Sequence, residues 1–161
     1  MTLRSRQGAR YAFPKALLLH AGTPIPLFMK AFMPTLPLSS RIFLGLGALS
    51  AAASVALSAA AAHMPTLQSA AATVNTALAQ QQFHALGLLV VGGLLVRVQS
   101  RWLMASGALM LLGTLLFCLN LYARQIWGWD AARAAVPWGG SAFILSWLAL
   151  GLGVWRGNRR D

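Results

Sequence analysis

The sequence predicts an all-α integral membrane protein, built as a bundle of four helices with both termini in the cytoplasm. Three observations lead to this fold class. First, 58% of the 161 residues are hydrophobic and only 9% are charged, whereas a soluble domain carries about 25% charged residues. Second, the apolar residues gather in four long windows without charges. Third, most basic residues lie in the segments that four spans would place on the same side of the membrane.

The same composition argues against other classes of protein. A net charge of +11 is typical of a nucleic-acid binder, but the apolar content favours a membrane protein, and we expect no nucleic-acid partner. An intrinsically disordered chain is far less apolar. A soluble helical protein needs polar outer helix faces, which these windows lack, and a β-barrel needs strands of about 10 residues with an alternating pattern.

Four windows are long enough to cross the membrane, because about 20 apolar residues span roughly 30 Å of hydrocarbon as a helix. They are residues 42–62, 77–96, 102–122 and 136–155. The second window is polar at its start and strongly apolar from Phe83. Since the connections are short or moderate, we expect neighbouring helices to pack antiparallel.

The basic residues predict the orientation. Eleven of the thirteen lie before the first span, between the second and third spans, or after the fourth. The remaining two, Arg124 and Arg133, lie on the opposite side. The positive-inside rule makes the richer side cytoplasmic. The tryptophans agree, because five of the six fall at or near predicted membrane boundaries, where such rings gather, and Trp147 alone lies in mid-span.

Residues 1–41 form a basic arm that contains five of the seven prolines, and residues 156–161 form a basic tail. Basic side chains beside a membrane favour anionic lipid headgroups by about 1 kcal/mol each. The arm is therefore a candidate for docking lipid or a partner protein, or else a solvated, poorly ordered segment. The candidate docking residues are Arg4, Arg6, Arg10 and Lys15.

Small residues are expected to hold the helices together, because helices in lipid associate by close packing and hydrogen bonds. Small residues recur every four positions in the first span, and glycines recur in the others. The expected packing positions are Gly47, Ser50, Ser54, Ser58, Gly87, Gly113, Pro137, Gly139 and Gly140. The three serines have a second interpretation as a polar path, although serine more often bonds the carbonyl one turn back.

The distinctive polar residues gather at the predicted outer end of the bundle, and such groups suggest a functional site because they are costly inside a membrane. The candidate cluster is His63, Gln81, His84, Asn120 and Tyr122. One interpretation is that they hydrogen-bond across helices, at about 0.6 to 2 kcal/mol each. The other makes the two histidines ligands of haem, a metal or a quinone. Two ligands without an HxxxH spacing do not make a metal site, so we expect no metal or cofactor.

Four segments carry a resemblance to a known family. Residues 58–63 read SAAAAH and keep the histidine of a GAFGAH-like motif, and residues 76–86, TALAQQQFHAL, resemble TAxxYQxxHAL. Residues 115–122, LLFCLNLY, resemble LLFSGSLY, and residues 136–147, VPWGGSAFILSW, resemble TPxGGxAFxxGW. In order and spacing the chain thus resembles the bacterial inner-membrane family catalogued as domain of unknown function 423. The resemblance covers about 41–155 and implies four spans, a plasma-membrane location and no established activity.

Three functions stay open from the sequence. The first is a non-catalytic subunit of a homo-oligomer or of a larger membrane complex, since no Ser-His-Asp set or phosphate-binding glycine loop is evident and Cys118 is the sole cysteine. The second is a small-solute or ion pathway, against which stands the lack of charges within the spans. The third is the histidine-liganded site at the outer end.

Overall fold

The computed structural model describes residues 36–159, which form helices joined by short connections and one short pair of strands. The predicted docking residues of the arm and the last two residues of the chain lie outside this range. The elements in chain order are α1 (Leu38–His63), the single turn α2 (Pro65–Gln68), α3 (Ala71–Leu94), β1 (Val98–Gln99), α4 (Arg101–Trp127), α5 (Val136–Arg156) and β2 (Asn158–Arg159). A 3₁₀ turn at Arg133–Ala135 leads into α5.

Within the described residues, three helical segments are long and apolar enough to cross a membrane. They are Leu38–His63, Arg101–Trp127 and Arg133–Arg156, with mean hydropathies of 1.9, 2.0 and 1.4. Helix α3 is as long, but its three consecutive glutamines and His84 lower its mean hydropathy. Large apolar side chains also lie exposed, as at Leu49 and Ile144, both 67% exposed. Because such an outside suits lipid and not water, the structure is that of an all-α membrane protein.

The helices extend beyond the apolar windows. Helix α1 begins at Leu38, directly after Pro37, and so includes Arg41 in its first turn. Helix α3 begins six residues before the predicted span, and α4 continues to Trp127, where Gly128 ends it with φ at +67°. The prediction counted only apolar residues, whereas a helix continues into polar residues until a backbone signal such as glycine ends it.

The helices pack in two pairs. Helix α1 packs mainly on α3, and α4 packs on α5, with α3 also touching α4. Buried apolar side chains form one cluster towards the α4–α5 connection and a second towards the α3–α4 turn. The first cluster holds Leu67, Val74, Ala77, Leu78, Cys118, Tyr122 and Phe143. The second holds Phe43, Leu88, Val91, Leu95, Leu103 and Met110.

Several glycines allow this close approach. A Cβ atom added at Gly139 would lie 2.7 Å from the backbone nitrogen of Phe117, and one at Gly47 would lie 3.0 Å from the carbonyl oxygen of Ala85. Gly87 and Gly113 likewise leave no room, against Met110 and Phe143. Gly140 differs, since its nearest neighbouring atom would be 4.0 Å away. Gly153, which the small-residue pattern did not single out, lies equally close to the backbone of Leu103.

The three serines of α1 differ in their surroundings. Ser54 is buried and donates to the carbonyl oxygen of Ala51, 2.7 Å away on its own helix. Ser50 is half-buried against α3, whereas Ser58 is exposed. Their side chains therefore do not form a continuous polar row along the helix.

The two ends of the bundle carry different residues. The strand pair joins the α3–α4 turn to the segment after α5, through Val98 opposite Arg159 and Gln99 opposite Asn158. The hydroxyl of Ser40, at the start of α1, donates to the carbonyl of Gly92 near the end of α3. The start of α1, the α3–α4 turn and the end of α5 therefore share one end, which we call the basic end. Its exposed arginines are Arg41, Arg97, Arg101 and Arg156.

Candidate functional site

A buried polar network links the helices, with Gln81 of α3 at its centre. The Nε2 atom of Gln81 donates to the carbonyl oxygen of Ser50 on α1, 3.1 Å away. Its Oε1 atom accepts from the hydroxyl of Tyr122 on α4, 2.8 Å away. Because a backbone carbonyl can only accept, these contacts fix which way the amide points. One side chain, only 3% exposed, therefore ties α1, α3 and α4 together.

His84, one turn further along α3, makes a second set of hydrogen bonds, which reaches α5. We call the two sets together the polar network. Its Nδ1 atom lies 2.7 Å from the carbonyl oxygen of Gln80, and its Nε2 atom lies 3.1 Å from the indole nitrogen of Trp147. A carbonyl only accepts and an indole N–H only donates, so Nδ1 carries the proton and Nε2 the lone pair. The imidazole is therefore neutral, with both nitrogens engaged. Its ring also stacks on Phe143, with centroids 3.6 Å apart and planes 15° apart.

Helix geometry brings these side chains together. Gln81 and His84 are three residues apart, and Phe143 and Trp147 are four apart, so each pair shares one face of its helix. Tyr122 follows a π-helical stretch at Thr114–Leu119. The wider turns of this stretch rotate the second half of α4 relative to its first half, and such turns are common at functional sites.

The predicted cluster divides into three parts. Gln81, His84 and Tyr122 are buried members of the network. Asn120 donates to the carbonyl of Ala132 and so fastens α4 to the connection before α5. His63 lies exposed at the end of α1, outside the network.

Sequence reasoning placed neither Ser50 nor Trp147 in the cluster. For Trp147 a signal was available, because it is the one tryptophan away from the membrane boundaries. A buried indole N–H needs an acceptor, which predicts a polar partner on another helix. The carbonyl of Ser50 gave no such signal, since every residue carries one.

The chemistry of this arrangement is that of a satisfied hydrogen-bond network. A metal or haem at His84 would have to displace the indole of Trp147, because the other ring nitrogen donates to a carbonyl. The partner of Nε2 is an N–H group, not a hydroxyl or thiol that the imidazole would activate as a nucleophile. Networks whose members are all paired rigidify a bundle and fix its register.

Removing the phenol hydroxyl tests the centre of the network. We expect Tyr122→Phe to lower the free energy of unfolding by about 1 kcal/mol, since hydrogen bonds between membrane helices contribute about 0.6 to 1.7 kcal/mol. Gln81→Leu should cost more, about 1 to 3 kcal/mol, because it also removes the bond to Ser50. The measurement is unfolding in mixed detergent micelles, with the double variant completing a thermodynamic cycle.

One outcome of this thermodynamic cycle would contradict the hydrogen bond between Gln81 and Tyr122. If the two residues are bonded, the double variant costs less than the sum of the single ones. Ser141→Ala is the control, because this exposed serine bonds only within its own helix, to the carbonyl of Pro137. Additive effects at Gln81 and Tyr122 would show that no bond joins them.

Comparisons with known proteins bear on this membrane domain. The family described as "Protein of unknown function (DUF423)" matches residues 57–140, a range that includes Gln81, His84 and Tyr122. The UPF0382 membrane protein YwdK of Bacillus subtilis is 33% identical over 118 residues, covering 68% of this chain and 93% of the relative. The UPF0382 inner membrane protein YgdD of Escherichia coli K12 is 32% identical over 134 residues, covering 76% and 96%.

The protein of the same name from Shigella flexneri matches with the same values. No solved structure matches the chain significantly. Together with the three apolar helices, these relatives assign the protein to the bacterial inner membrane, which its chain crosses more than once. The extent of the family match and the coverage of the relatives lead to one conclusion: the chain belongs to the DUF423 family.

Proposed function

We propose that this protein is a non-catalytic integral membrane protein that acts by binding other membrane-embedded chains, either copies of itself or the subunits of a larger complex. The observation that carries the proposal is the outward face of α1. There Ala48, Ala52 and Ala56 recur every four residues and all are exposed, with Gly45 and Ala59 continuing the row. We call these five residues the small-residue face.

This face differs from other exposed surfaces of the bundle. On α5 the exposed positions are large, such as Ile144, Leu145 and Leu148, at 67%, 52% and 61% exposed. A Cβ added at Gly45 would meet no neighbouring atom within 4 Å, so this side of α1 is open. Small residues at four-residue spacing let a second helix approach closely, which is how membrane helices associate.

The proposal includes four spans, with α3 as the second. Its 24 residues are long enough to cross the hydrocarbon. The polar groups of Gln81 and His84 are buried and paired, and a paired group costs far less in lipid than an unpaired one. Orientation follows from the arginines, since four exposed ones share the basic end and two lie near the other. We therefore propose a cytoplasmic basic end, with both termini inside.

The network supports a structural role over a catalytic one. Each polar atom of Gln81 and His84 has a partner on the protein itself. A substrate or cofactor would have to break bonds that hold the helices together. The network therefore suits a rigid scaffold that presents the small-residue face to a partner.

Cross-linking in native membranes tests the proposal. In a Cys118→Ala background, we expect Ala52→Cys labelled with benzophenone maleimide to form cross-linked species under ultraviolet light, because the partner helix approaches this face and the photoreactive group inserts into C–H bonds without needing a partner thiol. Leu148→Cys is the matched control, an exposed position on α5 that we expect to stay uncross-linked. A product of twice the chain mass indicates a homo-oligomer, and another mass indicates a different subunit, which mass spectrometry identifies.

A larger side chain at the small-residue face provides a second test of the proposal. Ala48→Leu should weaken association about tenfold, which corresponds to about 1.4 kcal/mol, because the larger side chain keeps the partner helix away. The readout is the cross-linked fraction of the Ala52→Cys variant. A monomer that isolates alone from mild detergent, with equal cross-linking at positions 52 and 148, would contradict the proposal.

A further inference from the structure

A groove opens at the basic end, between the start of α1 and the α3–α4 turn. Its volume is about 440 Å³. The residues that line it are Ser39, Leu95, Gln99, Ser100, Arg101 and Met104. None of these residues belongs to the polar network or to the small-residue face.

The lining is divided by chemistry. The exposed side chain of Met104 forms its apolar wall, with the buried Leu95 behind it. The other lining residues, Ser39, Gln99, Ser100 and Arg101, bring hydroxyl, amide and guanidinium donors. The oxygen of Ser100 accepts from the backbone nitrogen of Trp102, which leaves its hydroxyl hydrogen to donate. Among the described residues, no carboxylate lines the groove. A ligand that matches these walls has an acceptor-rich anionic head beside an apolar chain.

The surrounding charge also favours an anion. Arg41, Arg97 and Arg156 lie exposed at the same end as Arg101. Among the described residues the one carboxylate side chain is Asp130, which lies in the α4–α5 connection and pairs there with Arg124 at 2.9 Å. Within the described part of the chain, the positive charge of the basic end is therefore not neutralised by an acidic side chain.

The walls of the groove are held in place by hydrogen bonds between the elements. The strand pair fixes Gln99 opposite Asn158. The bond from Ser40 to the carbonyl of Gly92 fixes the start of α1 against the end of α3. A preformed groove loses little conformational entropy when a ligand binds, so the donors lie ready for an anion.

We propose that this groove binds the phosphodiester headgroup of an anionic glycerophospholipid from the leaflet that the basic end faces. Arg101 supplies the positive charge, Ser39 and Ser100 donate hydrogen bonds, and Met104, which is 42% exposed, contacts the start of an acyl chain. Basic pockets between membrane helices recognise anionic headgroups in this way. The lipid is a partner distinct from the membrane chains that the small-residue face is proposed to bind.

Lipid titration of the full-length protein tests the site. The purified protein in a mild detergent is titrated with phosphatidylglycerol or phosphatidylcholine, and its Tm is recorded. We expect a saturable rise of the Tm with phosphatidylglycerol but not with phosphatidylcholine, because a ligand that binds only the folded state stabilises it. Arg101→Gln should weaken the apparent affinity about fivefold, the effect of about 1 kcal/mol for one arginine near the headgroups.

Controls separate this groove from a diffuse basic surface. Arg133→Gln removes one charge near the opposite end and should leave the affinity unchanged. Met104→Trp keeps every charge but places a larger side chain in the groove, so it should weaken binding as Arg101→Gln does. If one of the two variants folds poorly, the other still tests the groove. Equal losses for Arg101→Gln and Arg133→Gln would overturn the proposal. A Tm rise of the same size with inorganic phosphate would also overturn it, because the ligand would then be a free anion.

Discussion

Gly139→Val is expected to disrupt the membrane domain, whereas Gly140→Val, one residue further along α5, is expected to leave it folded. A Cβ atom at position 139 would lie 2.7 Å from the backbone nitrogen of Phe117 and 3.0 Å from the carbonyl carbon of Leu116. Backbone atoms cannot rotate away, so α4 and α5 would have to separate. Overpacking of this kind costs about 1 to 3 kcal/mol and sometimes more.

The neighbouring glycine provides the control. At Gly140 the nearest atom to an added Cβ is Cδ2 of Phe117, 4.0 Å away at the end of a side chain. Both variants carry the same cost of a β-branched residue in a helix, so their difference isolates the clash. The measurement is folded yield by gel filtration in mild detergent, followed by unfolding in mixed micelles.

Alanine at the same two positions sharpens the comparison. Gly140→Ala should stabilise by up to about 1 kcal/mol, since alanine is a better helix former than glycine. Gly139→Ala should destabilise, because even one methyl group meets the backbone of α4. Equal effects at the two positions would show that α5 is rotated relative to the described contact.

These two glycines also mark the limit of prediction from sequence. The small-residue pattern selected both as packing positions, but only Gly139 meets a neighbouring backbone. Which one faces α4 depends on how α5 is rotated against it. That rotation depends on the π-helical stretch at Thr114–Leu119, and no proline or glycine within those six residues announces it. A sequence pattern shows which residues are small, but it does not show how one helix is rotated against its neighbour.

The fold class is easier to predict from the sequence than the packing, because the lipid environment allows few kinds of backbone structure. Uncharged windows of about 20 residues predict helices since the hydrocarbon satisfies no backbone group. The windows therefore indicate where the helices lie, and the helices continue beyond the predicted spans wherever polar side chains follow, as at Ala71 and Trp127. The number of spans and the orientation stay predictions, because α3 carries polar residues that composition alone does not resolve.

The candidate site, like the fold, is predicted from the sequence only in part. Polar residues inside apolar windows are conspicuous, so the sequence predicts Gln81, His84 and Tyr122 as one group. The sequence does not predict their partners, because a backbone carbonyl such as that of Ser50 has no sequence signature. His63 was grouped with them by its position at a helix end. In the structure it is the last residue of α1 and is exposed, outside the polar network.

His84→Ala is expected to have the largest effect of any single polar change in the network. It removes the acceptor of the Trp147 indole, the stacking on Phe143 and the volume of a buried ring. An unpaired buried N–H costs about 1 to 3 kcal/mol, and truncating a buried ring adds a cavity. We expect a total loss of about 2 to 4 kcal/mol in the free energy of unfolding, which is a large part of the stability of a small protein.

Two further variants separate the hydrogen bond from the packing. Trp147→Phe keeps an aromatic ring but removes the donor, so it should cost about 1 to 2 kcal/mol. In the His84→Ala background the same change should cost little, because the indole has already lost its acceptor. His84→Gln should cost less than His84→Ala, since an amide oxygen still accepts a hydrogen bond.

The same variants decide between a helix-linking histidine and a ligand histidine. If His84 joins α3 to α5, its stability effect depends on Trp147, and neither the visible absorption nor the metal content of the purified protein changes between the native chain and His84→Gln. If His84 holds haem or a metal, its Nε2 atom must leave the indole. Trp147→Phe would then free that nitrogen and strengthen ligand binding, while His84→Gln would abolish a visible band or a bound metal. Because both ring nitrogens are engaged within the protein, we expect the first result.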